Sequence, residues 1–314
     1  MKLKLPLVTF LYVLFFLGCS TEEPVNNFVS KPPSLVYTDT VSDIVVDTKN
    51  NVVNTDTVSD NSVNNKSNIV YVPQSLNNLI LTDNNVIAHR GAWKKRNLPQ
   101  NSIASLMEAI RSKYYGAEFD IILTADDSLV VSHDLEYNKL DIQKSKYTDL
   151  INLNLSNGEK LPTLREYILA GKQNNTTTKL FCELKNYSLP QERRILFVQN
   201  TLLTVEKLKA HQLMVYISFD YNIMKQIRAI DPFANIEYLS GNITPEQLKA
   251  DKISGIDYNI SVYKNNPEWI INAKKNNVTL NVWTVNQDVE MKWAIDNKFD
   301  FVTTDEPELF LSKK

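Results

Sequence analysis

After residue 84 the chain alternates between short apolar runs and amphipathic stretches up to its end. Short apolar runs bounded by polar residues are typical of buried β-strands. The eight predicted strands span residues 86–90, 117–123, 180–184, 214–219, 236–239, 256–260, 280–285 and 299–303. The stretches between them place apolar residues at helical spacing. The predicted helices include residues 102–114, 191–210, 221–230, 246–250, 267–276 and 288–297.

Strand–helix alternation repeated eight times in about 230 residues predicts an α/β protein whose parallel sheet closes into a (β/α)8 TIM barrel over residues 78–314. Ser102 and Thr244 are predicted helix N-caps, and Pro245 suits the first position of the helix that follows. The alternative is an open, doubly wound sheet, which would favour a glycine-rich phosphate loop after the first strand. Gly91 stands alone there, so we prefer the closed barrel.

Residues 1–18 have the pattern of a secretory signal peptide. Lys2 and Lys4 precede an apolar core that is too short to span a bilayer as a helix. The core ends just before Cys19, and the segment resembles a bacterial lipoprotein signal, in which this cysteine receives the lipid. Phe16 stands where leucine is usual in such signals. The alternative is an ordinary secretory signal with a cysteine at this place by chance.

Residues 19–77 are rich in Asn, Asp, Ser and Thr, and the hexamer Thr-Asp-Thr-Val-Ser-Asp occurs at 38–43 and again at 55–60. Such a polar segment predicts a flexible, disordered tether and not a folded domain. The Ser-Thr-Glu-Glu at 20–23 resembles the acidic tag of surface-exported lipoproteins in some Gram-negative bacteria. We therefore expect an exported protein whose lipid anchors it to a bacterial membrane, at the outer membrane or the cell surface.

Composition excludes several other classes of protein. Thirty-four basic and thirty-six acidic residues give a net charge of −2, so no basic excess indicates a nucleic-acid partner. Two cysteines, Cys19 and Cys182, cannot form a disulfide scaffold. Cys182 is expected to be a small buried group that packs under the helices.

Four charged residues in the second and third predicted strands point to one place. Residues two apart in a strand share a face, so Glu118 and Asp120 face the barrel interior together, as do Glu183 and Lys185. Three converging carboxylates repel one another unless a cation lies among them. Oxygen ligands favour one hard divalent cation, Mg²⁺ or Ca²⁺. The alternative is a buried ion network in which Lys185 and Arg90 pair with the acids without a metal.

Two of the three histidines are placed to reach the same end of the barrel. His89 closes the first predicted strand, and His133 lies in the loop after the second. Two imidazoles beside one cation suit opposite proton-transfer roles near neutral pH. Arg90 and Lys185 bring positive charge that suits a phosphate. His211 lies in a helix-to-strand connection, where we expect an ordinary polar role.

The order of these motifs resembles that of the glycerophosphodiester phosphodiesterase family over about residues 85–310. The matching motifs are His89-Arg90-Gly91, Pro99-Gln100-Asn101, Glu118-Phe119-Asp120, the segment 124–134, Leu161-Pro162-Thr163-Leu164, Cys182-Glu183-Leu184-Lys185, Trp283-Thr284-Val285-Asn286 and Thr304-Asp305-Glu306-Pro307. Each motif is weak alone, but the ordered set is highly specific.

The resemblance implies a (β/α)8 barrel that cleaves glycerophosphodiesters to glycerol phosphate and an alcohol with one divalent cation, Mg²⁺ or Ca²⁺. Its implications for individual residues fall into four groups. They are acid–base catalysis by His89 and His133, metal binding by Glu118, Asp120 and Glu183, phosphate contacts from Arg90 and Lys185, and a pocket wall at Trp283. The expected partners are a small glycerophosphodiester and, through the N-terminal lipid, a membrane.

Three positions depart from the family pattern. Gln100 stands where the family usually has Glu, which keeps hydrogen bonding but removes a charge. Asp127-Ser128 replaces the usual Asp-Gly turn, a change that a turn tolerates if its second residue needs no positive φ. An Arg that usually follows the His-Asp pair is absent, and Lys139 is the nearest basic residue.

Two alternatives for the function are open at this point. One is a phospholipase of the same fold that acts on intact phospholipids, although the loop 135–157 is polar and lacks a membrane-inserting aromatic cluster. The other is a non-catalytic, surface-anchored binding protein. Retention of both histidines and all three acids counts against it.

Overall fold

Parallel strands form a closed barrel in residues 84–313, the part of the chain that the computed structural model describes. In chain order the strands are β1 Val86–Ala88, β2 Gly116–Leu123, β3 Leu129–Val131, β4 Glu136–Tyr137, β5 Leu140–Asp141, β6 Lys179–Leu184, β7 Met214–Ser218, β8 Ile236–Tyr238, β9 Gly255–Asn259, β10 Thr279–Trp283 and β11 Phe301–Thr304. The predicted signal peptide 1–18, the lipidation site Cys19, the tether 19–77 and the predicted domain start at residue 78 lie outside the described residues.

Helices connect these strands on the outside of the barrel. They are α1 Ile103–Arg111, α2 Tyr147–Leu150, α3 Leu164–Gly171, α4 Gln191–Lys207, α5 Tyr221–Ile230, α6 Pro245–Ala250, α7 Ile260–Asn265, α8 Glu268–Asn276, α9 Asp288–Asp296 and α10 Pro307–Leu311. Ser102 caps α1 through its hydroxyl, and Thr244 caps α6 with Pro245 next to it, as predicted. Among the described residues, no helix has the length and apolar character needed to cross a membrane.

Closure of the sheet depends on β1, which pairs in parallel with β2 on one side and with β11 on the other. The remaining barrel strands follow in chain order from β2 through β6 to β11, and every neighbouring pair is parallel. This closed ring of eight strands confirms the predicted (β/α)8 barrel. An open doubly wound sheet is excluded, because that sheet would leave β1 and β11 without a mutual pairing.

Alternation along the strands builds two apolar layers. Phe119 and Cys182 belong to the large core between the sheet and the helices, so Cys182 is buried there as expected. A smaller cluster fills the barrel interior below its polar end, and its buried members are Ile87, Phe181, Val215, Ile217 and Leu239. The polar end of the interior is therefore supported from below by packed side chains.

The segment between β2 and α3 adds structure that the sequence pattern does not predict. β3 pairs antiparallel with the last residues of β2, and β4 and β5 form a separate small hairpin. A third apolar cluster holds this segment against the barrel, with buried members Ile122, Val130, Ile142, Leu150 and Leu161. The loop that carries His133 leaves directly from β3, so this packing positions it over the barrel mouth.

The first strand ends two residues earlier than predicted, because the backbone turns sharply at the mouth. Arg90 has φ 56° and Gly91 has φ 81°, both in the left-handed region. A side chain at Gly91 would also bring its Cβ within 2.7 Å of the Cβ of Ser105 at the start of α1. The close approach of α1 and the turn geometry both require glycine here.

We predict that Gly91→Ala destabilises the protein by about 2 kcal/mol or more, since strain at a left-handed position adds to overpacking. Gly158→Ala is a matched control, because Gly158 also has a positive φ, 87°, but a Cβ there would meet no atom within 4 Å. We expect the control to lose about 1 kcal/mol from backbone strain alone. Urea unfolding of the two variants measures the difference, and equal losses would contradict the packing argument.

Candidate active site

A cavity of about 130 Å³ opens at the carboxyl ends of the barrel strands. Its lining includes most of the site residues predicted for the barrel, namely His89, Arg90, Glu118, His133, Glu183, Lys185 and Trp283. Asp120 lies beside them, in contact with Lys185. The catalytic end of such barrels is where the loops after the strands meet, so the cavity is in the expected place.

The predicted metal ligands form one compact cluster. Oxygen atoms from Glu118, Asp120 and Glu183 all lie within 4.8 Å of one another, and all three side chains are buried. Lys185 Nζ lies 3.0 Å from Asp120 Oδ1 and 2.9 Å from Glu183 Oε1. The backbone N–H of Arg90 donates to Glu118 Oε2 at 2.7 Å. Arg90 Nε also lies 3.9 Å from Asp120 Oδ2. Contacts from the alternative ion network are thus present, and they place two cationic side chains beside three acids.

Electrostatics at the cluster indicate a shortage of positive charge. Burial raises the pKa of Glu118 well above its ordinary value, and repulsion from Asp120 and Glu183 raises it further. Burial and the charge of Asp120 raise the pKa of Glu183 to about 8. Burial also opposes ionisation of Asp120. Attraction to Lys185 and His133 and the hydrogen bond from Asn101 together outweigh burial and lower that pKa. Three buried oxygen donors with this charge balance fit a hard divalent cation.

Asn101 and Gln100 support the charged groups from the loop after β1. Asn101 Nδ2 donates to Asp120 Oδ2 at 2.8 Å, and its Oδ1 accepts from the Asp120 backbone N–H at 3.0 Å. Gln100 Oε1 accepts from Arg90 Nη1 at 2.8 Å. The glutamine thus orients the guanidinium as a carboxylate could, but it leaves the charge of Arg90 uncompensated at this contact.

His89 is held by a carboxylate that follows the last barrel strand. Its Nδ1 lies 2.8 Å from Asp305 Oδ1, and Asn286 Nδ2 donates to Asp305 Oδ2 at 2.7 Å. Burial opposes ionisation of Asp305, but the interactions with His89 and the hydrogen bond from Asn286 together outweigh it and lower the Asp305 pKa. An ionised Asp305 can only accept, so His89 Nδ1 carries the proton and Nε2 remains for proton exchange.

His133 is held in a similar way by the loop after β3. Its Nδ1 lies 2.7 Å from Asp134 Oδ1, whose side chain is 80% exposed, and its carbonyl accepts from the Tyr187 hydroxyl. Burial lowers the pKa of His133, and the positive charges of Lys185 and Arg90 add to that effect against the attraction of Asp120. The imidazole is therefore neutral at neutral pH.

Two aromatic rings form a wall of the cavity. Trp283 Nε1 donates to the Asp257 carbonyl at 2.8 Å, which fixes the indole. The ring of Phe219 meets the indole edge-on, with centroids 5.6 Å apart. Trp283 thus lines the cavity, and Phe219 lies beside it.

Several residues of the site have no role that the sequence alone reveals. Asp305 and Asn286 stand in motifs that carry the resemblance, but no local pattern shows that they hold His89. Asp257 faces the cavity because its strand neighbours Ile256 and Tyr258 point outward, whereas Phe219 lies directly after the end of β7. The same alternation that indicates the acidic cluster is the signal that could identify Asp257.

Three other residues singled out in the sequence lie away from the cluster. His211 begins a short 3₁₀ turn before β7, and its Nε2 lies 2.6 Å from Glu206 Oε2. Lys139 is exposed in the turn between β4 and β5. In the turn before β3, Asp127 and not Ser128 takes a positive φ, so serine is tolerated there as expected.

Comparison with known proteins agrees with this geometry. The model of the glycerophosphoryl diester phosphodiesterase family matches residues 89–309. A glycerophosphodiester phosphodiesterase of Caldanaerobacter subterraneus is 25% identical over 72% of this chain and 96% of its own. The crystal structure of a glycerophosphodiester phosphodiesterase from Parabacteroides distasonis is 39% identical, covers 73% of this chain and 96% of its own, and has a TM-score of 0.71.

A more distant structure shares the fold. It is an Oleispira antarctica phosphodiesterase in complex with the product sn-glycerol-3-phosphate. That protein is 22% identical, covers 72% of this chain and 95% of its own, and has a TM-score of 0.63.

We predict that binding of Mg²⁺ or Ca²⁺ strengthens from about pH 6 to about pH 8. Glu183, with a pKa of about 8, is protonated below that value and must lose its proton to become a ligand. Each carboxyl that must ionise contributes up to about a tenfold rise in affinity per pH unit. Titration calorimetry across this range measures the affinity and the protons released.

Two variants make this measurement specific. Asp120→Asn should weaken binding by at least about tenfold. Glu237→Gln should leave the pH dependence in place, because Glu237 is a buried carboxylate of the same barrel that bonds to Asn281 outside the cluster. An affinity that does not change with pH would contradict the proposed ligand set.

Proposed function

The chain belongs to the glycerophosphoryl diester phosphodiesterase family, and from this premise we propose how it works. We infer that it hydrolyses glycerophosphodiesters to glycerol phosphate and an alcohol, with one divalent cation and with acid–base catalysis by His89 and His133. The observation that carries the proposal is the convergence of three buried carboxylates, two histidines and two cationic side chains on one cavity of about 130 Å³. Membership in an enzyme family excludes the non-catalytic alternative.

A phosphodiesterase of the same fold supports a proposal for the product. The Oleispira antarctica phosphodiesterase is described with sn-glycerol-3-phosphate as its product. The cavity here offers Arg90 and Lys185 to a phosphate, together with a small enclosed floor. We therefore propose that glycerol phosphate leaves this site as well.

Glu118, Asp120 and Glu183 would hold the cation, since they offer buried oxygen donors at one point. When bound, a divalent cation supplies positive charge to the phosphate and stabilises the charge that builds in the transition state. Arg90 adds a guanidinium whose orientation Gln100 maintains. Lys185 contributes a second positive charge from within the acidic cluster, where burial lowers its pKa but attraction to Asp120 and Glu183 raises it overall.

The two histidines are suited to different proton transfers. His133 is neutral near pH 7 because its pKa is lowered, so we assign it to take the proton from the nucleophile. That nucleophile is either a water or a hydroxyl of the substrate's glycerol. Attack by the hydroxyl would form a cyclic phosphate, which water must then open to give glycerol phosphate. His89, oriented by the ionised Asp305, would donate the Nε2 proton of its imidazolium form to the departing alcohol.

We expect the purified protein to release glycerol phosphate from glycerophosphocholine, to stop when EDTA removes the cation and to recover when Mg²⁺ or Ca²⁺ is restored. Intact phosphatidylcholine should be cleaved much more slowly, because the enclosed part of the site, about 130 Å³, has no room for an acylated glycerol. A coupled assay for glycerol phosphate measures the first reaction, and chromatography of the lipid products measures the second. Full activity in EDTA would rule out the metal, and no release from any glycerophosphodiester would rule out the function.

His89→Ala and His133→Ala should each lower kcat by at least about 100-fold, the usual scale for losing an acid or a base. The matched control is His211→Ala, because that histidine precedes β7 at the opposite end of the strand from the cavity. Thermal unfolding of all three variants shows whether the fold is retained. Turnover close to that of the wild type in either His89→Ala or His133→Ala would overturn the assignment.

A further inference from the structure

Asp257 is a buried carboxyl at the floor of the cavity that the mechanism above does not use. It lies in the middle of β9, where Ile256 and Tyr258 face the helices and Asp257 faces the barrel interior. Asp257 is only 2% exposed to solvent, yet it lines the same cavity as Glu183 and Trp283.

One oxygen of the Asp257 carboxyl lacks a hydrogen-bond partner in the part of the chain that the structure describes, unlike the nearby buried acid Glu237. Asp257 Oδ1 is buried and has no hydrogen-bond partner among the described residues. Glu237, the buried acid on the adjacent strand β8, receives a hydrogen bond from Asn281 Nδ2 at 3.1 Å. A buried polar atom left unpaired is costly, so its retention calls for a partner that enters the cavity.

The shape of the cavity limits what that partner is. His89 and His133 are half-buried at the mouth, whereas Asp257 lies at the closed end with apolar walls from Ile217 and Leu239. With its phosphate beside Arg90 and Lys185, a diester would direct one ester group toward this floor and the other toward the mouth. A wider groove of about 390 Å³ adjoins the cavity at Phe219 and can take a larger group, whereas the enclosed part is about 130 Å³ and admits only a small one.

We propose that the floor of the cavity binds the glycerol moiety of the substrate and that Asp257 hydrogen-bonds its terminal hydroxyl, which makes Asp257 a specificity-determining residue. The variable alcohol then lies toward the mouth, where the exposed ring of Phe219 leaves the site open. This assignment rests on the proposed function, because it takes the phosphate to lie between Arg90 and Lys185.

The test compares glycerophosphocholine with an analogue that carries propane-1,2-diol in place of glycerol. The analogue lacks only the terminal hydroxyl and keeps the hydroxyl next to the ester carbon. The wild type should prefer the glycerol ester by at least about tenfold in kcat/KM, the scale of one buried hydrogen bond. In Asp257→Ala the preference should fall to within about threefold, whereas Asp257→Asn, which keeps hydrogen-bonding groups, should retain most of it.

Controls separate this role from a structural one. Glu237→Gln changes a buried acid of the same barrel that does not line the cavity, so the preference should stay as in the wild type. If Asp257→Ala does not fold, Asp257→Val replaces the carboxyl with an apolar group of similar size. The proposal would be overturned if the alanine or valine variant lost the same factor of kcat/KM for both substrates, so that its preference for the glycerol ester stayed unchanged.

A binding measurement keeps this result distinct from failure of the proposed function. Calorimetry compares glycerol 3-phosphate with propane-1,2-diol phosphate on the wild type and on the Asp257 variants, without any turnover. The wild type should bind the glycerol compound more tightly, and the alanine variant should not. If the wild type cleaves no diester but shows this difference, the function fails and the glycerol site stands. If it cleaves glycerophosphocholine but binds both phosphates equally, the glycerol site fails alone.

Discussion

The oxygen atoms of Glu118, Asp120 and Glu183 come within 4.8 Å of one another in a part of the barrel that water barely reaches. Desolvation and mutual repulsion both oppose three negative charges at such a point, and the two cations in contact with the cluster, Lys185 and Arg90, offset only part of this. The cluster therefore has the charge and the oxygen donors that fit a further cation.

Strand pairing brings the acids together with little dependence on flexible loops. Asp120 on β2 and Glu183 on β6 are direct partners in the parallel register, so their side chains are neighbours on the inner face. Lys185 follows Glu183 by two residues and shares that face. Asn101 hydrogen-bonds both the carboxylate and the backbone N–H of Asp120, which fixes the orientation of that carboxylate. Ligands on paired strands are held precisely, as a metal site needs.

Features that depend on the local sequence pattern could be predicted, and features that depend on contacts between distant residues could not. Alternation along the sequence of β2 and β6 is enough to predict that their acids face inward, and the same rule applied to β9 places Asp257 inward as well. β3 escapes such prediction, because Leu129–Val131 becomes a strand only by pairing with the end of β2. The partner of His89 escapes it too, since Asp305 lies 216 residues away and no local pattern connects them.

The separation of His89 from Asp305 along the chain means that two parts of the site depend on different strand pairings. The metal ligands need only β2 and β6, which are adjacent, whereas the contact between His89 and Asp305 crosses the seam where β1 meets β11. Asn286, which follows β10, and Asp305 hold each other on the β11 side of the seam. A barrel with an open seam would keep its acidic cluster and lose the orientation of one histidine. The proposed cation binding and the proposed proton transfer therefore depend on different parts of the same fold, and only complete closure joins them.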